Sequence, residues 1–306
     1  MGRPSCTNLP GSNAVNKTAW KNGRWGPLAE TMLDLDDWGV LSGAMVVDRL
    51  RTVQGQPRDV SEHLDRFQAG CRTVGIKLPA GLDLAHLIEQ CAARNLAAWG
   101  GIDLAIVLLA TPGRVAGQQA TLVVHPAAID HARLRQWYAT GQPLAVADQQ
   151  SVPAACWSPH LKVRSRLNYY LADRAAQQRF GPTAGAVLQD ATGCLTETSA
   201  ANILIAEGQR LVSPPPATIL PGVSLQRTER LAAELGIELR FEPISIQRAI
   251  EADGLMLCGS VGCWWFASRL ENRLFDDLSE NPLFRALREA WARDLGVDYQ
   301  ELSRAE

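Results

Sequence analysis

The sequence predicts an α+β chain of two domains. Three observations carry this prediction: short apolar runs folded across turn residues, stretches with the 3.6-residue repeat of amphipathic helices, and one central segment where neither pattern survives. At 306 residues, 46% of them hydrophobic, the chain is long enough for two cores of ordinary size. The central segment, residues 143–158, holds Pro143, Gln149, Gln150 and Pro153 without periodicity, so it is read as a linker between a domain of residues 18–142 and one of residues 159–306.

In the first domain, Asn22-Gly23 marks a hairpin turn between short flanks. Trp38 to Val53 is strand-like with breaks at Gly39 and Gly43, and its alternation sets Arg49 and Arg51 on one face. Asp59 opens a helix whose apolar side carries Leu64, Phe67 and Val74, and a second helix spans residues 82–99. Leu104 to Ala110 is far too short for a membrane span and reads as a buried strand, paired with Ala120 to Val124.

The second domain alternates in the same way. Leu167, Tyr170, Leu171 and Ala175 mark the apolar face of a helix that ends before Gly181. A hairpin turns at Asp190 to Gly193 and brings back Glu197, and a second, from Asn202, turns at Glu207-Gly208. Pro214 to Pro216 then breaks regular structure, and Ser224 is the expected N-cap of a helix running to Gly236. A strand from Ile237, a short helix from Ile246, a strand from Gly254 into the turn Gly259-Ser260-Val261-Gly262, and a closing helix of Pro282 to Leu295 complete the order.

Composition narrows the partners. Thirty basic against 32 acidic residues leave a net charge of −2, which gives neither a nucleic-acid footprint nor a membrane-binding basic patch and favours a small-molecule partner. Seven cysteines with no C-x-x-C pair suit reduced thiols in the cytoplasm. No zinc ligand set, G-x-G-x-x-G, Walker A or H-E-x-x-H occurs, so no metal is expected. Residues 1–17 lack the apolar core of a signal peptide and are expected to be loosely attached, and Asn16-Lys17-Thr18 is read as a chance glycosylation tripeptide.

The chemistry is concentrated between residues 160 and 224. Lys162 lies just ahead of a helix, Glu197 lies on a returning strand, and Pro221-Gly222-Val223-Ser224 opens a helix whose free N–H groups make an anion site. An amine, a carboxylate and a phosphate-sized anion site are together what pyridoxal phosphate needs: a Schiff-base partner, a group that keeps the pyridine nitrogen protonated, and a phosphate cradle. Taken singly each is commonplace, since a lysine before a helix and a glutamate in a hairpin are usually solvated.

Lys162, Leu167, Leu171 and Ala172 match K-x-x-x-x-L-x-x-x-L-A. Asp190, Gly193, Leu195, Glu197, Ser199, Asn202 and Ile203 match D-x-x-G-x-v-x-E-x-S-x-x-N-i, and Leu220 to Ser224 matches L-P-G-[IV]-[ST]. In these motifs the chain resembles the class IV, or fold-type IV, pyridoxal phosphate enzymes, which include branched-chain and D-amino acid aminotransferases and 4-amino-4-deoxychorismate lyase. The resemblance implies the two-domain D-amino acid aminotransferase-like fold, a homodimer, and amino-group transfer between an amino acid and a 2-oxo acid. It also implies site roles: the Schiff base on Lys162, Glu197 at the pyridine nitrogen, and Ser199 in the cofactor set. Arg66, from the family's H-[IL]-x-R-[LF], then holds the phosphate with Val223, Ser224 and Ser260, and His63 of the same motif is read as structural. Arg166-Leu167 is the form seen in the lyase subgroup, so pyruvate elimination stands as the alternative, and a non-catalytic cofactor-binding protein as one of another class.

The substrate end departs from the family. Gly43-Ala-Met-Val-Val-Asp48 stands where G-x-G-x-F-E is common, and Trp264-Trp265-Phe266 replaces E-V-x-P-V. Arg49 and Arg51 are candidates for a substrate carboxylate, with solvated strand arginines as the plain alternative. Arg166 joins them, and Trp264 either walls the pocket or packs in a core or dimer contact.

Overall fold

Asn22 and Gly23 both take positive φ, 44° and 91°, which a two-residue hairpin turn requires, and they fold Thr18–Lys21 back on Arg24–Pro27. This hairpin is the edge of a six-stranded antiparallel sheet that continues through Thr121–Ala127, Ala105–Thr111, Val46–Val53 and Gln56–Pro57. The computed structural model describes residues 17–116, 119–276 and 278–303; Asn16 and the rest of the N-terminal stretch lie outside the described residues. Along Val46–Val53 the even positions Val46 and Leu50 join Phe67, Ile88, Ile106, Leu108 and Val124 in the core beneath helices Val60–Val74 and Leu84–Leu96. The period of two therefore sends Val47, Arg49 and Arg51 to the opposite face.

The stretch ahead of that strand differs from expectation. Trp38–Leu41 is one helical turn, not strand, because buried Asp37 caps it by accepting from the Gly39 N–H at 2.7 Å, and Thr121 Oγ1 anchors the same carboxylate.

The second sheet has ten strands, in the order Glu238–Phe241, Arg210–Ser213, Asn202–Glu207, Gly254–Gly259, Cys263–Leu270, Gln142–Gln150, Gly185–Gln189, Cys194–Thr198 and Ile244–Ser245, with Arg273–Leu274 beside Cys263–Leu270. Gln142–Gln150 falls within the stretch expected to be a linker, yet it is a central strand, parallel to both of its neighbours. Leu144 is the one large apolar side chain among its buried positions; Gln142, Ala145 and Ala147 are polar or small, so no apolar alternation marks the strand in the sequence. Ala145 and Ala147 let the backbone lie close to Ala172 and Ala176 of helix Leu167–Phe180, and buried Gln142 accepts from Trp265 Nε1 at 2.9 Å.

Two further readings change. Helix Leu167–Phe180 buries Ala172 and Ala176, while the face taken to be apolar is outside, with Leu167 68% and Tyr170 59% exposed. Helix Val223–Glu234 starts two residues earlier than expected: Gly222 is its N-cap and Ser224 sits buried in its first turn. The closing helix Pro282–Leu295 is capped by Asn281, whose side chain accepts from Leu283 and Phe284 N–H groups, and it covers the aromatic strand Cys263–Leu270.

Candidate active site

The lysine is placed by backbone pairing across the two halves of the chain. The Lys162 carbonyl accepts from Val47 N at 2.9 Å, Arg164 N donates to the Met45 carbonyl at 3.0 Å, and Ser165 Oγ donates to the Gly43 carbonyl at 2.9 Å. With the Val46–Val163 bridge these bonds make residues 162–165 a short antiparallel extension of the first sheet, leaning on the strand that carries Asp48. The Lys162 side chain enters a cleft that is open to solvent and also lined by Arg66, Arg166, Tyr169, Glu197, Ser199, Asn202, Val223, Ser224 and Ser260. Burial first, then the guanidiniums of Arg66 and Arg166, push its amine from an ordinary 10.5 down to about 7. An amine in that range is a nucleophile near neutral pH.

Glu197 lies opposite, on Cys194–Thr198, paired across the sheet with Asn202. Its Oε1 accepts from Tyr169 OH at 2.7 Å, and its Oε2 accepts from Leu220 N at 3.0 Å and from Asn202 Nδ2 at 3.3 Å. Donors from three separate elements thus fix the plane of the carboxylate. Beside it, Thr198 Oγ1 accepts from Ala200 and Ala201 N–H groups and shapes the loop that carries Ser199, whose carbonyl accepts from Arg166 Nη2.

The other end of the cleft is built for an anion. The first intrahelical bond of Val223–Glu234 closes from Gln226 N to the Gly222 carbonyl, which leaves the N–H groups of Val223 and Ser224 at the cleft. Only glycine fits at 222, since a Cβ there would overlap Asn202 Oδ1. Arg66 Nε and Nη2 donate to the two oxygens of Asp48 at 2.9 and 2.8 Å, and Nη1 donates to the Pro221 carbonyl at 3.0 Å. His63 Nδ1 donates to the same Asp48 at 2.7 Å, so the histidine is structural. Burial alone would raise the Asp48 carboxyl, but the His63 hydrogen bond and the Arg66 charge hold it well below the usual carboxylate range. Arg66 is therefore oriented by a buried anion before any ligand arrives.

Lys162, Glu197, Arg66, Ser199, Val223, Ser224, Ser260 and Arg166 all meet in this cleft. Arg49, Arg51 and Trp264, candidates for the substrate end, do not line it. Arg51 is 3% exposed and donates to the Val261 carbonyl at 2.6 Å, tying the first sheet to the 259–262 turn. Trp264 is fully buried, stacks on Phe284 at 6.0 Å and donates to the Phe284 carbonyl, because burying an aromatic of ~200 Å² contributes about 4–6 kcal/mol that a wet cleft would not supply. Arg49 is half-buried on the sheet face beside His125, with Nη2 donating to the Ala128 carbonyl at 3.0 Å. Three residues were not foreseen in the site: Asp48, Asn202 and Tyr169. Asp48 left a signal, an acid at an inward position of a strand, which must find a partner such as the His63 and Arg66 of the facing helix. Tyr169 left none.

Comparison with known proteins follows this geometry. Residues 45–270 match the family model described as amino-transferase class IV. A putative branched-chain-amino-acid aminotransferase of Methanocaldococcus jannaschii is 23% identical over 282 residues, covering 88% of this chain and 93% of its own. The branched-chain aminotransferase of Thermoproteus uzoniensis superposes with a TM-score of 0.80 at 20% identity, over 94% of this chain and 97% of its own. That of Escherichia coli gives 0.79 at 16% identity, over 90% and 93%. The residues matched by the family model reach into both sheets and include every residue that lines the cleft, and the chain belongs to the class IV aminotransferases, a family of pyridoxal-phosphate-dependent enzymes.

Proposed function

We propose that this enzyme holds pyridoxal phosphate in the cleft through Lys162 and passes an amino group from an amino acid to a 2-oxo acid. The observation that carries the reading is the arrangement of three groups around one cleft: the Lys162 amine near pKa 7, the triply bonded Glu197 carboxylate, and the anion end at Arg66, Val223, Ser224 and Ser260. The donor set fits the cofactor, because the N–H groups of Val223 and Ser224 open into the cleft at a helix start, where a phosphate binds, and the Arg66 guanidinium stands in the same cleft. When bound, pyridoxal phosphate supplies an aldehyde for the amine and a ring that withdraws electrons from the reacting carbon. Glu197 would pair with the ring nitrogen and keep it protonated. Lys162, a neutral amine near neutral pH, would take and return the proton of the substrate's α-carbon, which general-base catalysis accelerates by roughly 10² to 10⁴. Ser199 would lie beside the ring, and Arg166, which lines the cleft, would meet the substrate carboxylate as a guanidinium fork.

The working form in this reading is a homodimer in the cytoplasm. Met32, Leu35, Trp38, Val40 and Leu41 leave large apolar surface exposed within one short stretch, and Leu167, Tyr170 and Leu171 do the same on a helix face, as an unpaired dimer interface would. No described helix is long and apolar enough to cross a membrane.

The test is a half-reaction with a panel of amino donors and no oxo acid. Stoichiometric conversion of bound cofactor to pyridoxamine phosphate, reversed by a 2-oxo acid, is the expected result. Pyruvate release from aminodeoxychorismate without that conversion would assign the lyase reaction, and absence of both would leave only a binding protein.

A further inference from the structure

Tyr169 is half-buried in the wall of the cleft, in a place where its hydroxyl is not needed for packing. It is the third residue of helix Leu167–Phe180, which packs on the sheet through Ala172 and Ala176, and a phenylalanine would fill the same space with no polar atom to satisfy. Yet the hydroxyl donates to Glu197 Oε1 at 2.7 Å, on a strand 28 residues further along the chain. Oε1 accepts from Tyr169, whereas Oε2 accepts from two donors, so the oxygen with room for another donor is the one that Tyr169 holds.

We propose that Tyr169 is a positioning residue for the amino transfer: its donated hydrogen bond orients Glu197 and keeps the shared proton on the cofactor's ring nitrogen. The proposal rests on the reading above that Glu197 faces that nitrogen. A hydrogen bond between a ring N–H⁺ and a carboxylate shares one proton between two bases, and each further donor to the carboxylate stabilises its anionic form. Tyr169 lowers the pull of Glu197 on the proton, and the ring keeps the positive charge that makes it withdraw electrons. No bond to carbon forms or breaks at Tyr169; it acts through the position of one proton.

Two features hold the tyrosine to this role. Its hydroxyl is pushed well above the ordinary range, by burial first and then by the Glu197 carboxylate, so it stays protonated and donates at every working pH. The Arg166 guanidinium lies 4.4 Å from the centre of the Tyr169 ring and donates to the Ser199 carbonyl, which clamps the ring against the loop leading to Asn202. A cation on the ring face also makes the phenol a stronger donor. Arg166 thus has a place in the site apart from any substrate contact.

The experiment reconstitutes wild type and Tyr169→Phe with pyridoxal phosphate labelled with ¹⁵N in the ring, and reads the ring-nitrogen resonance, cofactor affinity and steady-state kinetics. In Tyr169→Phe the resonance should move toward the unprotonated position, with affinity and KM changed by less than about threefold and kcat lowered about tenfold. Added to Glu197→Gln, the same substitution should lower kcat no further, because it acts through that carboxylate. Site-specific 3-fluorotyrosine at 169, a stronger donor of nearly the same size, should move the resonance the other way, and it serves if Tyr169→Phe fails to fold. An unmoved resonance in both variants, or a kcat loss that multiplies with that of Glu197→Gln, would overturn the role of Tyr169 while leaving the cofactor reading intact. A wild-type chain that takes up no pyridoxal phosphate would overturn the cofactor reading and the proposal with it.

Discussion

Exposing the cofactor-free chain to pyridoxal phosphate across a range of pH, and trapping the adduct with borohydride, reads the state of Lys162. Only the neutral amine attacks an aldehyde. Burial first, then Arg66 and Arg166, bring this amine to about 7, while the charges of Asp48 and Glu197 pull it back up. At pH 7 an ordinary lysine is neutral in roughly three parts in ten thousand and one of pKa about 7 in roughly half, so the site gains about a thousandfold in reactive amine. The trapping rate should therefore rise with pH, pass its midpoint near 7 and level off above about 8.5. The neighbours give signed controls. Arg166→Gln removes a like charge and should raise the midpoint by about half a unit to one unit, while Glu197→Gln removes an opposite charge and should lower it. Peptide mapping should place the label on Lys162. A midpoint above about 9, a label on Lys21 or Lys77, or shifts of the opposite sign in the two variants would refute the reasoning.

The same amine has a consequence for stability: its folded pKa is depressed, so between about 7 and 10.5 the unfolded chain binds more protons and the cofactor-free fold gains stability as pH rises. Lys162→Met should accordingly raise the melting temperature of the cofactor-free chain, with the full gain below about pH 7 and little left near 10.5, and a gain larger at high pH would contradict this. Arg66→Ala should weaken cofactor binding about a hundredfold in a titration while leaving kcat at saturation within about fivefold, and an unchanged affinity would remove Arg66 from the phosphate. Asp48→Asn should weaken binding through the loosened Arg66 and lower stability by about 3 kcal/mol in denaturant unfolding, because a buried ion pair loses one partner. Glu197→Gln should keep the cofactor but lose turnover by about two orders of magnitude or more, and near-normal turnover would show that this carboxylate is not the ring nitrogen's partner.

Local signals carried much of the architecture. Asn22-Gly23, the Asp190 turn and Glu207-Gly208 announced their hairpins because positive φ and Asx turns are properties of single residues, and Pro282 announced its helix start for a similar reason. The spacing from Lys162 through Glu197 to Ser224 was legible because it lies in consecutive short elements whose lengths the chain itself states. Where such signals were weak or absent the reading failed. Gln142–Gln150 hides in the middle of a sheet because alanine and glutamine are buried there by what stands opposite, and the exposed Leu167 and Tyr170 kept a helical period without facing a core in this chain.

Tertiary structure alone decided the electrostatics and the far contacts of the site. That Lys162 sits near pKa 7 depends on Arg66, 96 residues earlier, and on burial created by both sheets. That Asp48 turns Arg66, that Tyr169 grips Glu197, and that Arg51 and Trp264 serve packing instead of substrate are all facts about which side chains meet in space. A turn or a cap is set by the energetics of a few adjacent residues, so it can be read from the chain, whereas the field and dielectric at an amine sum over every group around it, and those groups are assembled only by the fold.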